Sequence, residues 1–320
     1  MTRHFSARYI VTLALLYAFG MQSTLVCAAQ APVIEVLYPE VEGPYQKVFS
    51  AIIEGIQAQS KVEVRLLSIT DGLDIPQIIK SANIKNVSAI IALGKSGLIA
   101  AEHWRGKVPI VVGALLLTPD KNERGLAGIS LAADPDLLLE RLTYLAPSIK
   151  RVHVVYSPRS SEWLVKIADK VAGQFNLQLR SYKSEDIKST ALIYRDILNT
   201  SHPGEDAIWV LPDPVAIDNK ITFPLLLRGA WDNNILLFSN NPSLVKRGAL
   251  FALFPDNKLM GRSLAKMAES YIGDDAANMK NAVVPLRDLL AAINVRTADH
   301  IGLRLSNEER KDYALIFPAP

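Results

Sequence analysis

Val87-Ser88-Ala89-Ile90-Ile91-Ala92-Leu93, followed at once by Gly94-Lys95-Ser96-Gly97, is the stretch that decides the fold. A short, uninterrupted apolar run of this kind is typical of a central strand in a parallel sheet, where both faces are buried. Two further runs follow the same plan, since Val152–Tyr156 precedes Ser157-Pro158-Arg159-Ser160 and Ile208–Leu211 precedes Pro212-Asp213. Strands that end in polar turns and alternate with helical segments predict an α/β protein whose ligands bind outside the carboxyl ends of the strands.

The length of the chain predicts two lobes. The chain has 320 residues. If an export signal is removed, about 290 residues remain, which is more than one hydrophobic core usually accommodates. The regular alternation of strands and helices favours two parallel sheets over one long sandwich.

Residues 1 to 28 are interpreted as a cleavable signal peptide. Arg3 and Arg8 form a positive region, Tyr9–Met21 is apolar, and Val26-Cys27-Ala28 offers small residues for cleavage after Ala28. The apolar run is about 13 residues long, short of the roughly 20 that span a bilayer, which disfavours an uncleaved anchor. Lipidation at Cys27 is also disfavoured, because the preceding residues lack the small side chain that a lipoprotein signal requires. We therefore expect a periplasmic protein, secreted through a cleaved signal peptide.

The charge balance argues against nucleic acid or an anionic membrane surface as a partner. The full chain carries 35 Lys and Arg residues against 32 Asp and Glu residues, a formal net charge of +3. Arg3 and Arg8 would leave with the signal peptide, so the mature chain would carry +1 and no single-sign field. The one cysteine, Cys27, would leave too, and a mature chain without cysteine needs no disulfide.

We find no sequence motif for catalysis, for a metal or for a nucleotide. Gly94-Lys95-Ser96 resembles the end of a P-loop, but Ala89 replaces the glycine required five residues earlier. Gly97-Leu98 after Ser96 breaks the nucleophile-elbow pattern. The five histidines are scattered and have no neighbouring cysteine: His4, His103, His153, His202 and His300. We predict that the protein is not an enzyme and holds neither metal nor cofactor.

The polar turns after the strands contain the first candidate ligand-binding residues. Gly94, Lys95 and Ser96 open a helix whose free N–H groups and lysine could hold a carboxylate, and the alternative is an ordinary turn with a solvated lysine. Arg159 follows Ser157 in a second turn and could clamp a carboxylate through two hydrogen bonds. An exposed loop arginine is the commoner outcome for such a residue.

Asp213 is a candidate because Pro212 and Pro214 fix the backbone on both sides and aim its carboxylate. It could receive a ligand ammonium or hydroxyl group, and the alternative is a turn aspartate that binds its own backbone. The remaining candidates lie at the ends of other strands and are expected to line the same cleft: Tyr38, Tyr45, Ser239 and Asn240.

Short segments occur in a specific order along nearly the whole mature chain, from about Val33 to about Leu303. These segments are Ile90–Gly94, Val108–Val112, Gly128–Ser130, Leu145–Val152, Val154–Pro158, Pro242–Val245, Arg247–Leu250, and Asp256 with Leu259–Arg262. Their order and spacing resemble the ABC-transporter substrate-binding proteins of the type I periplasmic-binding fold, in the branch whose characterised members bind amino acids.

The resemblance implies two Rossmann-like lobes that are joined by three crossovers and close on a ligand. Lobe one would comprise residues 33–131 and 257–280, and lobe two residues 134–254 and 281–320. The crossovers would lie near Ala132–Asp134, Phe254–Asp256 and Asn281–Pro285. Ligand contacts would come from the strand-end loops Tyr38–Tyr45, Gly94–Gly97, Gly113–Leu115, Ser157–Ser160, Leu211–Asp213 and Ser239–Asn240.

The resemblance implies solute capture for an inner-membrane ABC permease, by a carrier that is monomeric by default. Lys95 suggests an anionic ligand and Leu115–Leu117 an apolar moiety, so amino acids or small carboxylates, branched-chain or aromatic, are the predicted ligands. The alternative is a periplasmic sensory subunit that passes the same closure to a membrane receptor. Neighbouring genes for a permease and an ATPase, or for a lone receptor, would distinguish these two functions. An exported hydrolase is a third and weaker possibility, since no nucleophile and base are visible.

Overall fold

The computed structural model describes residues 31–70, 86–119, 126–272 and 282–318. Residues 1–28, interpreted as a signal peptide, lie outside these ranges. So does the segment Asp74–Asn83, which the spacing of Ile75, Ile78 and Ile79 predicts to be a helix. No helix within these ranges is long and apolar enough to cross a membrane.

Strands and helices alternate along most of the described chain. In order they are β1 (Val33–Pro39), α1 (Pro44–Gln59), β2 (Glu63–Ile69), β3 (Val87–Leu93), α2 (Gly94–Ala101), β4 (Ile110–Leu115), β5 (Ala127–Ala133), α3 (Pro135–Leu145), β6 (Arg151–Tyr156), α4 (Pro158–Ala172), β7 (Gln178–Lys183), α5 (Ile187–Thr200), β8 (Asp206–Val210), α6 (Thr222–Asp232), β9 (Leu236–Ser239), α7 (Pro242–Arg247), β10 (Phe251–Pro255), α8 (Asn257–Ser270), β11 (Val283–Leu286), β12 (Leu289–Asn294), α9 (Val295–His300), α10 (Asn307–Arg310) and β13 (Leu315–Phe317).

The first sheet is parallel and has the strand order β11-β5-β4-β3-β1-β2. β3 lies in its interior and is almost entirely buried, so the prediction of a central strand from its apolar run is confirmed. Helices α1 and α8 cover one face of this sheet, and α2 packs on the other. We call this sheet and these helices the first lobe.

Two glycines allow α1 and α8 to cross in close contact. A Cβ atom built on Gly261 would lie 2.1 Å from the carbonyl oxygen of Ile52, and one built on Gly55 would lie 2.0 Å from the carbonyl oxygen of Lys258. Beside this crossing, both helices bury aliphatic side chains against the sheet, among them Ile56 and Leu264. Backbone contact at the crossing therefore sets how closely α8 approaches α1.

The second sheet has the order β13-β12-β10-β9-β8-β6-β7. The pairs from β7 to β10 are parallel, whereas β12 runs antiparallel to β10 and carries β13 parallel to itself. Helices α3 and α4 cover one face and α5, α6 and α7 the other. We call this sheet and its helices the second lobe. The predicted fold class, α/β with two mostly parallel sheets, is confirmed.

The chain passes between the two sheets at three points that lie side by side. Asp134 leads from β5 to α3, Asp256 leads from β10 to α8, and residues 287–288 lead from β11 to β12. The backbone N–H of Asp134 donates to the Leu286 carbonyl at 2.8 Å, and that of Asp256 donates to the Asp288 carbonyl at 2.9 Å. The side chain of Arg287 donates to Asp134 at 2.5 Å, so these passages are held together by hydrogen bonds.

One boundary differs from the sequence-based expectation. Residues 283–286, expected in the second lobe, form β11 and pair in parallel with β5 of the first sheet. The third passage therefore follows Leu286, later than predicted, because this short strand completes the edge of the first sheet before the chain leaves it. The rest of the division into domains stays a prediction.

A buried ionic cluster joins the amino ends of β6 and β8. The Asp206 carboxylate accepts hydrogen bonds from the Arg151 side chain at 2.5 and 2.9 Å and from the His202 backbone N–H at 2.6 Å. His153 lies between Asp206 and the hydroxyl of Tyr182, at 3.2 and 3.1 Å. Burial opposes ionisation of Asp206, but the hydrogen bonds and the charge of Arg151 outweigh it and lower the pKa of Asp206. Burial lowers the pKa of His153, so its ring is neutral at pH 7.

We expect Gly261→Ala to lower the free energy of unfolding by about 1–3 kcal/mol, because its new Cβ would collide with the backbone of Ile52. Gly173→Ala is the matched control, because its φ of −61° suits alanine and nothing lies within 4 Å of the new Cβ. Urea denaturation of both variants measures the difference. Equal midpoints for the two variants would show that the α1–α8 crossing tolerates a wider separation.

We expect the ionic cluster to make stability depend on pH. The pKa of Asp206 is lower in the folded protein than its ordinary value of 3.8, so ionised Asp206 stabilises the fold. This stabilisation is complete at pH values above 3.8 and is lost as the pH falls further. The pKa of His153 is also lowered from its ordinary value of 6.5, so burial of its neutral ring causes a further loss of stability as the pH falls below 6.5. Asp206→Asn should therefore be less stable than the parent at pH 7 and lose less stability from about pH 5 to about pH 3. Denaturation at each pH tests this, with the exposed Asp196→Asn expected to follow the parent.

Candidate ligand-binding site

A small pocket lies where the carboxyl ends of strands from both sheets meet, and we call it the cleft pocket. Its cavity volume is about 210 Å³. The first lobe contributes Leu116, Leu117, Thr118 and Ala132. The second lobe contributes Ser160, Ser161, Trp163, Leu164, Pro212 and Pro214. These lining residues carry no formal charge, so the cleft pocket is an apolar chamber with a few hydroxyl groups.

The wall from the first lobe is shaped by an irregularity at the end of β4. The pairing of β4 with β5 shifts register between Val112 and Leu115, and Ala114 there has a φ of 56°, which alanine rarely adopts. Beyond it, the buried hydroxyl of Ser130 accepts from the Leu117 N–H at 3.0 Å and donates to the Leu117 carbonyl at 2.9 Å. This bulge redirects the chain after β4, and it leaves Leu116 58% exposed at the cleft pocket.

Asp213 organises the wall from the second lobe. One carboxylate oxygen accepts from the Ser157 N–H at 2.9 Å and from the Ser161 hydroxyl at 2.8 Å. The other accepts from the backbone N–H groups of Val215 at 3.0 Å and Ala216 at 3.2 Å. With 1% of its surface exposed, Asp213 ties the turn after β8 to the start of α4. These contacts match the alternative of a turn aspartate that binds its own backbone, and Asp213 also binds the neighbouring turn at Ser157. Both carboxylate oxygens therefore have protein donors.

The buried hydroxyl of Tyr194 has no hydrogen-bond partner within the described ranges. Burial, and then the nearby negative charge of Asp213, raises the pKa of Tyr194. The tyrosine therefore stays neutral beside the buried carboxylate.

The predicted residues of the first lobe lie at the ends of β1 and β3. Gly94 is buried with a φ of +67°, and a Cβ there would lie 3.3 Å from the ring of Phe49, so glycine suits this turn. Lys95 is exposed and makes no ion pair with any described residue, whereas Ser96 is half-buried. Tyr38 is half-buried, and Tyr45 is 69% exposed at the start of α1. The structure thus brings this group to the same edge of the first sheet, and its part in binding stays a prediction.

The predicted residues of the second lobe fall into buried and exposed groups. Ser157 and Ser239 are buried, and the Ser239 hydroxyl donates to the Val210 carbonyl at 2.7 Å. Arg159 is exposed, has no ion pair within the described ranges and directly precedes Ser160 of the cleft pocket. Asn240 is half-buried, and its Oδ1 is a buried acceptor without a hydrogen-bond partner among the described residues.

Sequence reasoning missed the apolar members of the cleft pocket. Trp163 lies in the second turn of α4, where its spacing from Leu164 and Ala168 is typical of a residue that packs in a hydrophobic core. Leu116 was considered only as part of an apolar stretch. No local signal separates a leucine that faces a cleft from one in a core, because both need the same side chain.

No group of three or more His, Cys, Asp or Glu side chains among the described residues is arranged to hold a metal ion. The buried histidine–carboxylate pair His153 and Asp206 is at the amino ends of the strands, far from the cleft pocket at their carboxyl ends. The geometry of the cleft pocket suits binding of a small neutral or weakly charged solute with an apolar part.

Comparison with protein families and solved structures agrees with this geometry. A family model described as ABC transporter substrate binding protein matches residues 47–310, well over half of the chain. No curated protein sequence matches the chain.

Two solved structures share the fold at low sequence identity. A ligand-free, open substrate binding protein with adhesive properties from Clostridium difficile is 16% identical, with a TM-score of 0.60, and the match covers 88% of this chain and 98% of that one. A conserved domain protein from Vibrio cholerae is also 16% identical, with a TM-score of 0.50, covering 90% of this chain and 99% of that one. The fold is that of the type I periplasmic binding proteins.

Asp213→Asn tests how the cleft wall is built. We expect it to lower the free energy of unfolding by about 2–4 kcal/mol. Each carboxylate oxygen of Asp213 accepts two hydrogen bonds, and the amide nitrogen that replaces one of them cannot accept either. Asp169→Asn removes the same charge from an exposed position on α4 and should change stability by less than about 0.5 kcal/mol. Chemical denaturation gives both values. If the two variants were equally stable, Asp213 would not hold the two turns together.

Proposed function

Because this chain belongs to the ABC transporter substrate binding protein family, we propose that it is an exported solute-binding protein that captures a small ligand between its lobes for an inner-membrane ABC importer. The observation that carries the proposal is the cleft pocket, whose walls come from strand-end loops of both sheets. A ligand that contacts both walls stabilises the closed arrangement more than the open one. Ligand binding then becomes a change of shape that a permease can recognise.

The expected ligand is an amino acid or a small carboxylate with a branched or aromatic apolar part. Leu116, Trp163 and the prolines beside Asp213 form apolar walls for such a group. The cavity of about 210 Å³ lies below the range of drug-sized sites, which suits a small solute. The hydroxyl groups of Thr118 and Ser160 provide hydrogen bonds inside it.

The charged end of the ligand would bind at the rim of the cleft. Arg159 is exposed next to Ser160, and the amino end of α4 favours negative charge. Lys95 is exposed at the corresponding strand end of the first lobe. The unpaired Oδ1 of Asn240 would accept from a ligand ammonium group, since a buried acceptor without a partner is costly. In this proposal Asp213 positions the turns and does not touch the ligand.

Binding without chemistry follows from the same residues. Among the described residues, the lining of the cleft pocket contains hydroxyl groups and no histidine. Of the described carboxylates, the one in contact with a lining hydroxyl is that of Asp213, which binds Ser161 and already accepts hydrogen bonds from three backbone N–H groups. The protein would be exported by its signal peptide and work as a periplasmic monomer. Its balanced charge favours neither nucleic acid nor an anionic membrane as a partner.

Thermal-shift measurements against amino acids, small carboxylates, sugars and nucleosides test the proposed function. A ligand at 100 times its Kd should add about 2.7 kcal/mol of stability. We expect a hit among apolar amino acids or aromatic acids, with affinity about tenfold weaker in Arg159→Gln and several-fold weaker in Leu116→Ser.

Leu192→Ser is the matched control for Leu116→Ser, because it replaces an exposed leucine of α5 outside the cleft pocket and should leave affinity unchanged. Binding of sugars alone would contradict the ligand class. A panel without any hit would contradict capture of these solutes and favour a sensory subunit.

A further inference from the structure

A second cavity, larger than the cleft pocket, lies entirely on the second lobe, and we call it the basic groove. Its volume is about 470 Å³, and it is bounded by the carboxyl ends of α6 and α7 and the amino end of α9. One acidic side chain, that of Asp232, lines the groove. Four cationic side chains also line it: Arg228, Lys246, Arg247 and Arg296. The groove thus concentrates positive charge in a mature chain whose overall charge is nearly balanced.

The basic groove lies at the opposite end of the second lobe from the cleft pocket. α6 leads into the amino end of β9, and α7 leads into the amino end of β10. α9 starts at the carboxyl end of β12, which is antiparallel to β10 and so ends on the same side. The cleft pocket is at the carboxyl ends of the parallel strands. A ligand in the groove would therefore contact one lobe only.

Ring contacts position three side chains of the groove, those of Trp231, Arg247 and Arg296. The indole of Trp231 stacks on the His300 ring, with centroids 3.6 Å apart and an angle of 5° between the planes. The Arg296 guanidinium lies 5.6 Å from the centre of the same indole. Arg247 lies 4.3 Å from the Phe223 ring centre and donates to the Asn219 side chain at 2.9 Å. Such contacts reduce the side-chain entropy that the groove would lose when a ligand binds.

Among the described residues, three of the four cations of the groove, Lys246, Arg247 and Arg296, have no carboxylate partner. Asp232 lies 3.8 Å from Arg228 and is the only carboxylate in the lining. Lys246 and Arg296 have no carboxylate partner among the described residues. Helix dipoles explain the cations at the carboxyl ends of α6 and α7, but Arg296 lies in the first turn of α9, where a dipole disfavours positive charge.

We propose that the basic groove binds a small amphipathic anion: a carboxylate carried on a flat apolar group. The apolar group would lie against Trp231 and the neighbouring Leu227 and Pro224 of α6. The carboxylate would be held by Lys246 and Arg296. The site requires no closure of the lobes, so it binds independently of the cleft pocket.

Calorimetric titration of the purified full-length chain with 2-naphthoate, and with the neutral 2-naphthamide as a matched probe, tests the proposal. We expect saturable binding of the naphthoate and at least tenfold weaker binding of the amide, because only the carboxylate can use both cations. The double variant Lys246→Gln, Arg296→Gln should weaken naphthoate binding at least tenfold. Lys188→Gln, Arg304→Gln removes the same charges from exposed positions of the second lobe and should bind like the parent.

Leu116→Ser distinguishes the groove from the cleft pocket, which is also expected to accept aromatic acids. Naphthoate binding that depends on Lys246 and Arg296 should survive in Leu116→Ser. The proposal is overturned if naphthoate shows no saturable binding, if the amide binds equally well, or if the groove double variant binds like the parent while Leu116→Ser does not. Each of these outcomes leaves the capture of a solute in the cleft pocket to be judged by its own thermal-shift test.

Discussion

A central parallel strand must be buried on both faces, and most of this structure follows from that constraint. β3 and β1 expose neither face to water, so helices have to cover the first sheet from both sides. The second covering helix, α8, reaches the first sheet only after the chain has built most of the second lobe. The passages between the lobes are therefore a consequence of covering the sheet. The close crossing at Gly55 and Gly261 shows how tightly that helix is fitted.

The same constraint creates the cleft pocket. Parallel strands end at one edge of each sheet, so polar loops accumulate there, and the two edges meet at the cleft pocket. Buried polar groups then set the shape of those loops. Asp213 and Ser130 use their side chains to bind protein backbone, whereas Leu116 is left exposed toward the cleft. Polar residues that look like ligand contacts in the sequence can thus be the framework of a site whose surface is apolar.

The second lobe distributes its charge unevenly between its two ends. The lining of the cleft pocket carries no formal charge and presents a few hydroxyl groups. At the opposite end, Arg247 and Arg296 of the basic groove contact aromatic rings, and the described residues give the four cations of the groove one carboxylate partner, Asp232. The Asp206 cluster differs from the groove because its charges are paired within the protein. There the buried carboxylate accepts hydrogen bonds from Arg151 and contacts the neutral ring of His153. In the groove, by contrast, Lys246 and Arg296 have no carboxylate partner among the described residues.

The sequence alone determined the fold class, because the apolar run of Val87–Leu93 can be buried on both faces only in the interior of a sheet covered by helices. It also identified the strand-end turns, since Gly94, Ser157 and Asp213 follow apolar runs directly. Only the tertiary structure decided which of those residues bind protein, because the donors to Asp213 include a turn 56 residues away in the chain. Contacts between residues distant in the chain also assign β11 to the first sheet and bring Trp163 to the cleft pocket, and such contacts leave no local pattern in the sequence.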